Sequence, residues 1–242
     1  MQEYGLLGKS LAHTFSPGFF NNKFSLESID AVYHAFELSD IDEFPELLAS
    51  RSLSGLNVTI PYKEQIIPYL DCLDETAEKI QAVNCIQMHK GILKGYNTDA
   101  GAFLSSLEPL LCAADKHALV LGTGGASKAV VWALEKLELS YQLVSRNPQP
   151  GMLSYDELSA ELMQHYTVII NTTPLGMYPN EAALPELPYE WLTQRHLLYD
   201  PIYRPATTAF LKMGAAKGAR TKNGMEMLQL QALASWEIWN ED

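Results

Sequence analysis

With 242 residues, 47% hydrophobic and 19% charged, the chain has the composition of a folded protein with one large or two modest domains, which excludes a disordered or fibrous one. Seventeen basic against twenty-nine acidic residues give a net charge of −12, which argues against a general affinity for nucleic acid or anionic membrane. The expected partner is a small molecule.

The chain opens with MQEYGLLGKS, which lacks the basic head and long apolar body of a signal peptide. No later run approaches the roughly 20 apolar residues of a membrane span, so a cytoplasmic protein is expected. Residues 4–8 are a strand candidate ending at Gly8, followed by a loop with hydroxyls at Ser10, Thr14 and Ser16. Pro17 suits the first position of a helix with Ser16 as its N-cap and Phe19, Phe20 and Phe24 on its apolar face. Taken alone, Ser16 is no more than that cap. Residues 31–38 alternate like a strand, with Val32, His34 and Phe36 on one side, and residues 39–49 read as a helix capped by Ser39 or Asp40.

Residues 55–64, GLNVTIPYKE, run from an apolar strand (Leu56, Val58, Ile60) into Pro61 and so carry Lys63 to the rim of a sheet. A lysine there is placed to meet a ligand, and Lys63 is an expected acid/base residue. By itself it is a surface lysine. Residues 74–80 read as a short helix, and residues 82–88 and 92–96 as strands joined by a turn at His89, Lys90 and Gly91. Asn97, Thr98 and Asp99 precede a helix at 100–111, on which the domain boundary falls; Asp99 alone is an N-cap. Strands and helices alternate, the pattern of an α/β layer.

A second alternation follows: strands at 117–121, 141–144, 167–170 and 196–199, a helix at 126–137, and a strongly helical segment at 224–239. Residues 118–129, ALVLGTGGASKA, place Gly122, Gly124 and Gly125 between a strand and a helix, where backbone N–H groups approach a pyrophosphate and the helix N-terminus faces its charge. Ser127 stands at the third glycine position of the usual fingerprint. The next strand ends in Ser145, Arg146 and Asn147 with no acidic residue before Asp156, which favours NADP over NAD. Pro148, Pro150 and Gly151 prevent a helix there, and Ser154 with Glu157 reads as a capping box opening a short helix before the next strand.

The histidines have no metal-ligand spacing, and His13 reads as loop structure. Cys72, Cys85 and Cys112 fit neither a disulfide framework nor a zinc site and are expected to be reduced packing residues. Trp236 and Trp239 are expected to pack the last helix.

Together AHTFSP at 12–17, NVTIPYKE at 57–64, AVN at 82–84, NTDAGAF at 97–103, GTGGASKA at 122–129, NTTPLGM at 171–177, DPIYRPATT at 200–208 and NGMEMLQLQA at 223–232 resemble the shikimate dehydrogenase family, in its order and over essentially the whole chain. The resemblance implies an α/β substrate domain at 1–100, completed by the C-terminal helix 224–242, and a Rossmann-like doubly wound NADP-binding domain at 101–223, with a cleft between them. It implies Lys63 and Asp99 as the catalytic pair, Thr14 and Ser16 as hydroxyls for the substrate carboxylate, and Thr59, Asn84, Gln231 and Tyr203 as further substrate contacts. Gly122, Gly124, Gly125 and Ala126 match the pyrophosphate loop, Ser145, Arg146 and Asn147 the reader of the 2′-phosphate, and Thr172, Thr173, Met177, Gly224 and Met227 the lining around the nicotinamide. No metal is implied, and the assembly expected is a monomer or homodimer. The implied reaction is NADPH-dependent reduction of 3-dehydroshikimate; the alternatives are a quinate or amino-shikimate dehydrogenase and a non-catalytic nucleotide-binding regulator. Thr14 departs from the family's serine, the helix after Asn147 is shortened, and the chain ends soon after Trp239.

Overall fold

The computed structural model describes residues 1–12 and 14–241; His13 lies outside them. The chain divides into two compact units, Met1–Thr98 with Gln231–Asp242, and Asp99–Leu230. Among the described residues no helix is long and apolar enough to cross a membrane.

The first unit contains β1 (Gln2–Gly8), α1 (Ser16–Leu26), β2 (Ala31–Glu37), a 3-10 turn at Ile41–Glu43, α2 (Phe44–Ser50), β3 (Leu53–Val58), β4 (Cys72–Leu73), α3 (Glu75–Ile80), β5 (Cys85–His89) and β6 (Ile92–Tyr96). Its sheet runs β2-β1-β3-β5-β6-β4. Strand β1 is parallel to both β2 and β3, reached through the α1 and α2 crossovers, whereas β5 is antiparallel to both β3 and β6. Lys90 (φ 50°) and Gly91 (φ 81°) supply the two left-handed residues that a tight β5–β6 hairpin requires. This mixed topology puts the ends of β1, β3 and β6 and the start of β5 on one edge of the sheet.

Two sequence readings need correction here. Ser16 does not cap α1: Phe15 holds that position without a side-chain bond, and Ser16 is the first helical residue, buried beside the Tyr33 phenol. Ile60 is not on the strand, which ends at Val58, and it is 74% exposed. Asp40 does cap, forming a capping box with Glu43, but it caps the 3-10 turn at Ile41–Glu43; α2 itself follows Glu43, which makes no side-chain cap bond.

The second unit contains most of α4 (Thr98–Leu107), then β7 (His117–Leu121), α5 (Gly125–Lys136), β8 (Ser140–Val144), α6 (Ala160–His165), β9 (Val168–Asn171), β10 (Leu197–Asp200), α7 (Ala209–Ala216), β11 (Arg220–Asn223) and the first turns of α8 (Met225–Trp239). Its sheet is wholly parallel in the order β11-β10-β9-β7-β8. Burial on both faces explains the unbroken apolar runs of β7, β9 and β10.

Beyond β8 a single parallel bridge joins Val144 to Leu153, with Ser145 N–H donating to Leu153 O and Leu153 N–H to Leu143 O, both at 2.9 Å. Leu153 therefore occupies the place of the outermost strand in the 3-2-1-4-5-6 dinucleotide-binding order, reduced to one residue. Pro148, Pro150 and left-handed Gly151 (φ 87°) account for the missing helix before it. The Ser154 and Glu157 capping box is present but opens only a 3-10 turn, and α6 begins separately behind Ser159.

The last turns of α8 belong to the first unit. Trp239 stacks on Tyr4 with ring centroids 4.9 Å apart and donates its indole N–H to Ile86 O at 3.0 Å. Gly55 makes room for it, since a Cβ there would lie 2.4 Å from the indole ring.

Candidate active site

The first unit gathers its polar side chains on the edge just described. Gly8 ends β1, and a Cβ there would lie 2.7 Å from both Leu11 Cδ2 and Thr59 Cγ2, so its lack of a side chain lets the loop after β1 approach the exit of β3. Thr59 N–H donates to Leu7 O at 2.8 Å. Four residues on, the carbonyl of Lys63 accepts from Val83 N–H at 2.8 Å, which fixes the Lys63 loop beside the segment leading into β5. Asn84 immediately precedes that strand, and its carbonyl accepts from Val58 N–H at 2.9 Å. Main-chain bonds therefore bring Thr59, Lys63 and Asn84 together.

Asn84 is 3% exposed, and its amide is oriented at both ends by Thr98: Nδ2 donates to Thr98 Oγ1 at 2.9 Å, and Oδ1 accepts Thr98 N–H at 2.7 Å. One N–H and one lone pair remain for a ligand. Thr14 donates its hydroxyl to Leu11 O at 3.0 Å, so binding a carboxylate requires that hydrogen to turn. Gln231 enters this unit from α8 and is buried. Asp99 lies in the first turn of α4 rather than capping it, as the first residue of the second unit.

In the second unit the corresponding residues follow the carboxyl ends of the parallel strands. Gly122 is left-handed (φ 100°), donates to Val144 O at 2.9 Å, and would place a Cβ 3.0 Å from Thr173 Cγ2 and 3.1 Å from Thr172 Oγ1. Gly124 is the N-cap of α5, with no side-chain cap and no acidic residue in the first turn, and an added Cβ would meet no non-neighbouring atom of the described residues within 4 Å. An open, uncapped twelve-residue helix N-terminus after the first strand fits a dinucleotide pyrophosphate. Ser145, Arg146 and Asn147 leave the end of β8, with Arg146 and Asn147 exposed and Asn147 N–H bonded to Ser145 Oγ at 3.2 Å. Thr172 Oγ1 donates to Leu121 O at 2.7 Å and Thr173 Oγ1 to Asn171 Oδ1 at 2.6 Å, so these hydroxyls brace the loop. Met177 is 46% exposed, whereas Met227 packs against the apolar cluster of Phe103, Val120 and Tyr199. Tyr203 is half-buried.

A buried carboxylate under this edge escaped the sequence reading. Asp200, at the end of β10, is 0% exposed and accepts from Thr208 Oγ1 at 2.6 Å, Ile202 N–H at 3.1 Å and Asn171 Nδ2 at 3.4 Å, joining the ends of β9 and β10 to the start of α7. Burial raises its pKa to about 6 against the lowering effect of these donors. An acid whose folded-state pKa is raised binds its proton more tightly in the folded state. Its contribution to stability is therefore complete below the unfolded carboxylate pKa near 4 and is lost as pH rises through about 6. Asp200→Asn is expected to gain on the parent protein by on the order of 2 kcal/mol between pH 4.5 and 7.5. Urea unfolding of both proteins across that range checks this, and a pH-independent difference would refute it.

Cys72 and Cys112 are exposed rather than packed, and only Cys85 is buried, where burial pushes its thiol up to about 12. Among the described residues no group of three or more His, Cys, Asp or Glu side chains is placed to hold a metal.

Residues 6–86 match the model of the shikimate dehydrogenase substrate binding domain. The shikimate dehydrogenase (NADP(+)) of Methanosphaera stadtmanae is 35% identical over 97% of this chain and 90% of its own length. The crystal structure of shikimate dehydrogenase from Aquifex aeolicus superimposes with a TM-score of 0.88 at 35% identity, over 99% of this chain and 92% of that one. That of Thermus thermophilus shikimate 5-dehydrogenase in complex with NADP(H) and shikimate also gives 0.88, at 30% identity over 99% and 94%.

Proposed function

The chain belongs to the shikimate dehydrogenase family, and we propose that it catalyses the reversible reduction of 3-dehydroshikimate to shikimate with NADPH, a step of aromatic amino acid biosynthesis through chorismate. The observation that carries this reading is the held loop of Lys63 beside Thr59 and Asn84 on one sheet edge, in a chain whose second unit presents an open glycine loop to a dinucleotide.

Bound NADPH supplies the hydride. The substrate carbonyl oxygen takes the displaced electron pair, and the ammonium of Lys63 stabilises that charge and donates the proton, an interaction strongest in the transition state. Asp99 is the second member of the catalytic pair. Thr14 and Ser16 hold the ring carboxylate, with the Thr14 methyl narrowing that end. Thr59, Asn84, Gln231 and Tyr203 take the hydroxyls. On the cofactor side, the N–H groups at Gly124, Gly125 and Ala126 meet the pyrophosphate, and left-handed Gly122, whose own N–H is held by Val144 O, shapes the turn that brings them there. Ser145, Arg146 and Asn147 meet the 2′-phosphate, and Thr172, Thr173, Met177, Gly224 and Met227 surround the nicotinamide. Unpaired thiols, two of them exposed, support a reducing cytoplasmic setting.

Adding shikimate to protein and NADP is expected to produce absorbance of the reduced nicotinamide, more weakly with NAD or with quinate. Absence of any shikimate-dependent signal overturns the reading, and a higher kcat/KM for quinate reassigns the substrate.

A further inference from the structure

One buried hydrogen-bond network of the first unit reaches three of the proposed substrate contacts at once. Asn57, on β3 and 4% exposed, is its junction. Its Oδ1 accepts the Tyr33 phenol at 2.8 Å, and Nδ2 donates to the Asn84 carbonyl at 3.1 Å and to Ser235 Oγ at 2.8 Å. Both amide hydrogens are thus committed, leaving Asn57 no donor for a ligand. Each branch ends at a group that the proposed reaction uses. Tyr33 has the buried Ser16 hydroxyl beside its phenol. Asn84 is a branch in itself. Ser235, 0% exposed, donates to the Gln231 carbonyl at 2.9 Å and lies 3.4 Å from Thr98 Oγ1, the group that orients the Asn84 amide.

Around this network the packing is aromatic: Phe20 stacks on Tyr33 at 4.6 Å, and Trp239, Tyr4 and Phe24 complete the cluster. Polar groups in such a setting are costly to bury unless every member is satisfied, and once satisfied they hold one arrangement. Resting on the function proposed above, we propose that Asn57, Tyr33 and Ser235 are positioning residues: they set Ser16, Asn84 and Gln231 relative to one another and so fix the grip on the substrate ring.

The variants Tyr33→Phe and Ser235→Ala remove one hydroxyl each and keep the ring stack and the helix. Each is expected to raise KM for shikimate about three- to tenfold, the effect of one weakened hydrogen-bonded contact, with KM for NADP and kcat within about twofold. Melting temperatures near that of the parent protein show that folding is not the cause, and Ser235→Thr, which restores the hydroxyl, is expected to recover much of the affinity. Unchanged KM for shikimate overturns the inference, as does a loss that affects both substrates equally or only follows a fall in melting temperature. An active parent protein with unaffected variants removes this inference alone; an inactive parent protein removes the proposed function and this inference with it.

Discussion

Lys63→Ala is expected to lower kcat for shikimate oxidation by about 10²- to 10⁴-fold, the range ascribed to a positioned acid or base, while the protein stays folded. Stability is expected to be separable from activity because the main-chain bonds that hold this loop do not involve the side chain. The Lys63 carbonyl accepts from Val83 N–H, and the buried neighbours Tyr62 and Ile66 anchor the loop, with Tyr62 Oη donating to Leu38 O at 2.6 Å. Alanine keeps all of these. The lost ammonium matters most when the carbonyl oxygen carries charge, so kcat should fall far more than KM rises. Lys63→Arg separates the two jobs of the side chain, since a guanidinium keeps the charge but does not give up its proton. Activity of the arginine variant close to that of the parent protein would mean charge stabilisation suffices; a loss as deep as in the alanine variant would mean the proton is transferred. Near-normal turnover of Lys63→Ala, in stopped assays on well-folded protein, removes Lys63 from the mechanism.

The parts of this molecule legible in the sequence are those whose cause is local. Strands β7, β9 and β10 announce themselves because burial on both faces demands continuous apolar residues, and the β5–β6 hairpin because Lys90 and Gly91 take up its left-handed turn. Elements whose cause is distant were not legible. Strand β4 has two residues, too few for any period. Helix α7 contains Gly214, a weak helix former, which is tolerated because a Cβ there would lie 2.5 Å from Leu198 Cδ2. Strand β11 reads Arg220, Thr221, Lys222, Asn223, with no apolar alternation, and is held by register with β10. The site divides the same way. Lys63 and the glycine loop stand out by type and spacing, but the inward turn of Ser16 and the Asn171, Asp200, Thr208 cluster depend on partners the sequence does not bring side by side.

Gly224→Ala is expected to cost more than about 4 kcal/mol, the range reserved for severe steric or buried-charge defects, and to leave little folded protein. A Cβ at this position would lie 1.8 Å from the carbonyl oxygen of Pro201, 2.3 Å from its carbonyl carbon and 2.8 Å from its Cα, so no side chain can rotate away to relieve the clash. Nor can the main chain move freely: Gly224 N–H donates to Ile202 O at 3.1 Å, its own carbonyl accepts from Leu228 N–H at 2.9 Å, and Asn223 Nδ2 is bonded to Ala206 O at 2.8 Å. Making room means pulling the start of α8 away from the exit of β10, next to the buried Asp200 carboxylate whose donors include Ile202 N–H. The glycine therefore has a packing reason to be there quite apart from its proposed place beside the nicotinamide. Gly101→Ala is the matched control, since an added Cβ on that exposed turn of α4 meets no non-neighbouring atom of the described residues within 4 Å, and it is expected to be neutral or stabilising by up to about 1 kcal/mol. Urea unfolding of the two variants decides the matter. If Gly224→Ala unfolds within about 1 kcal/mol of the parent protein, the chain accommodates the methyl group, and the position is constrained by the ligand alone.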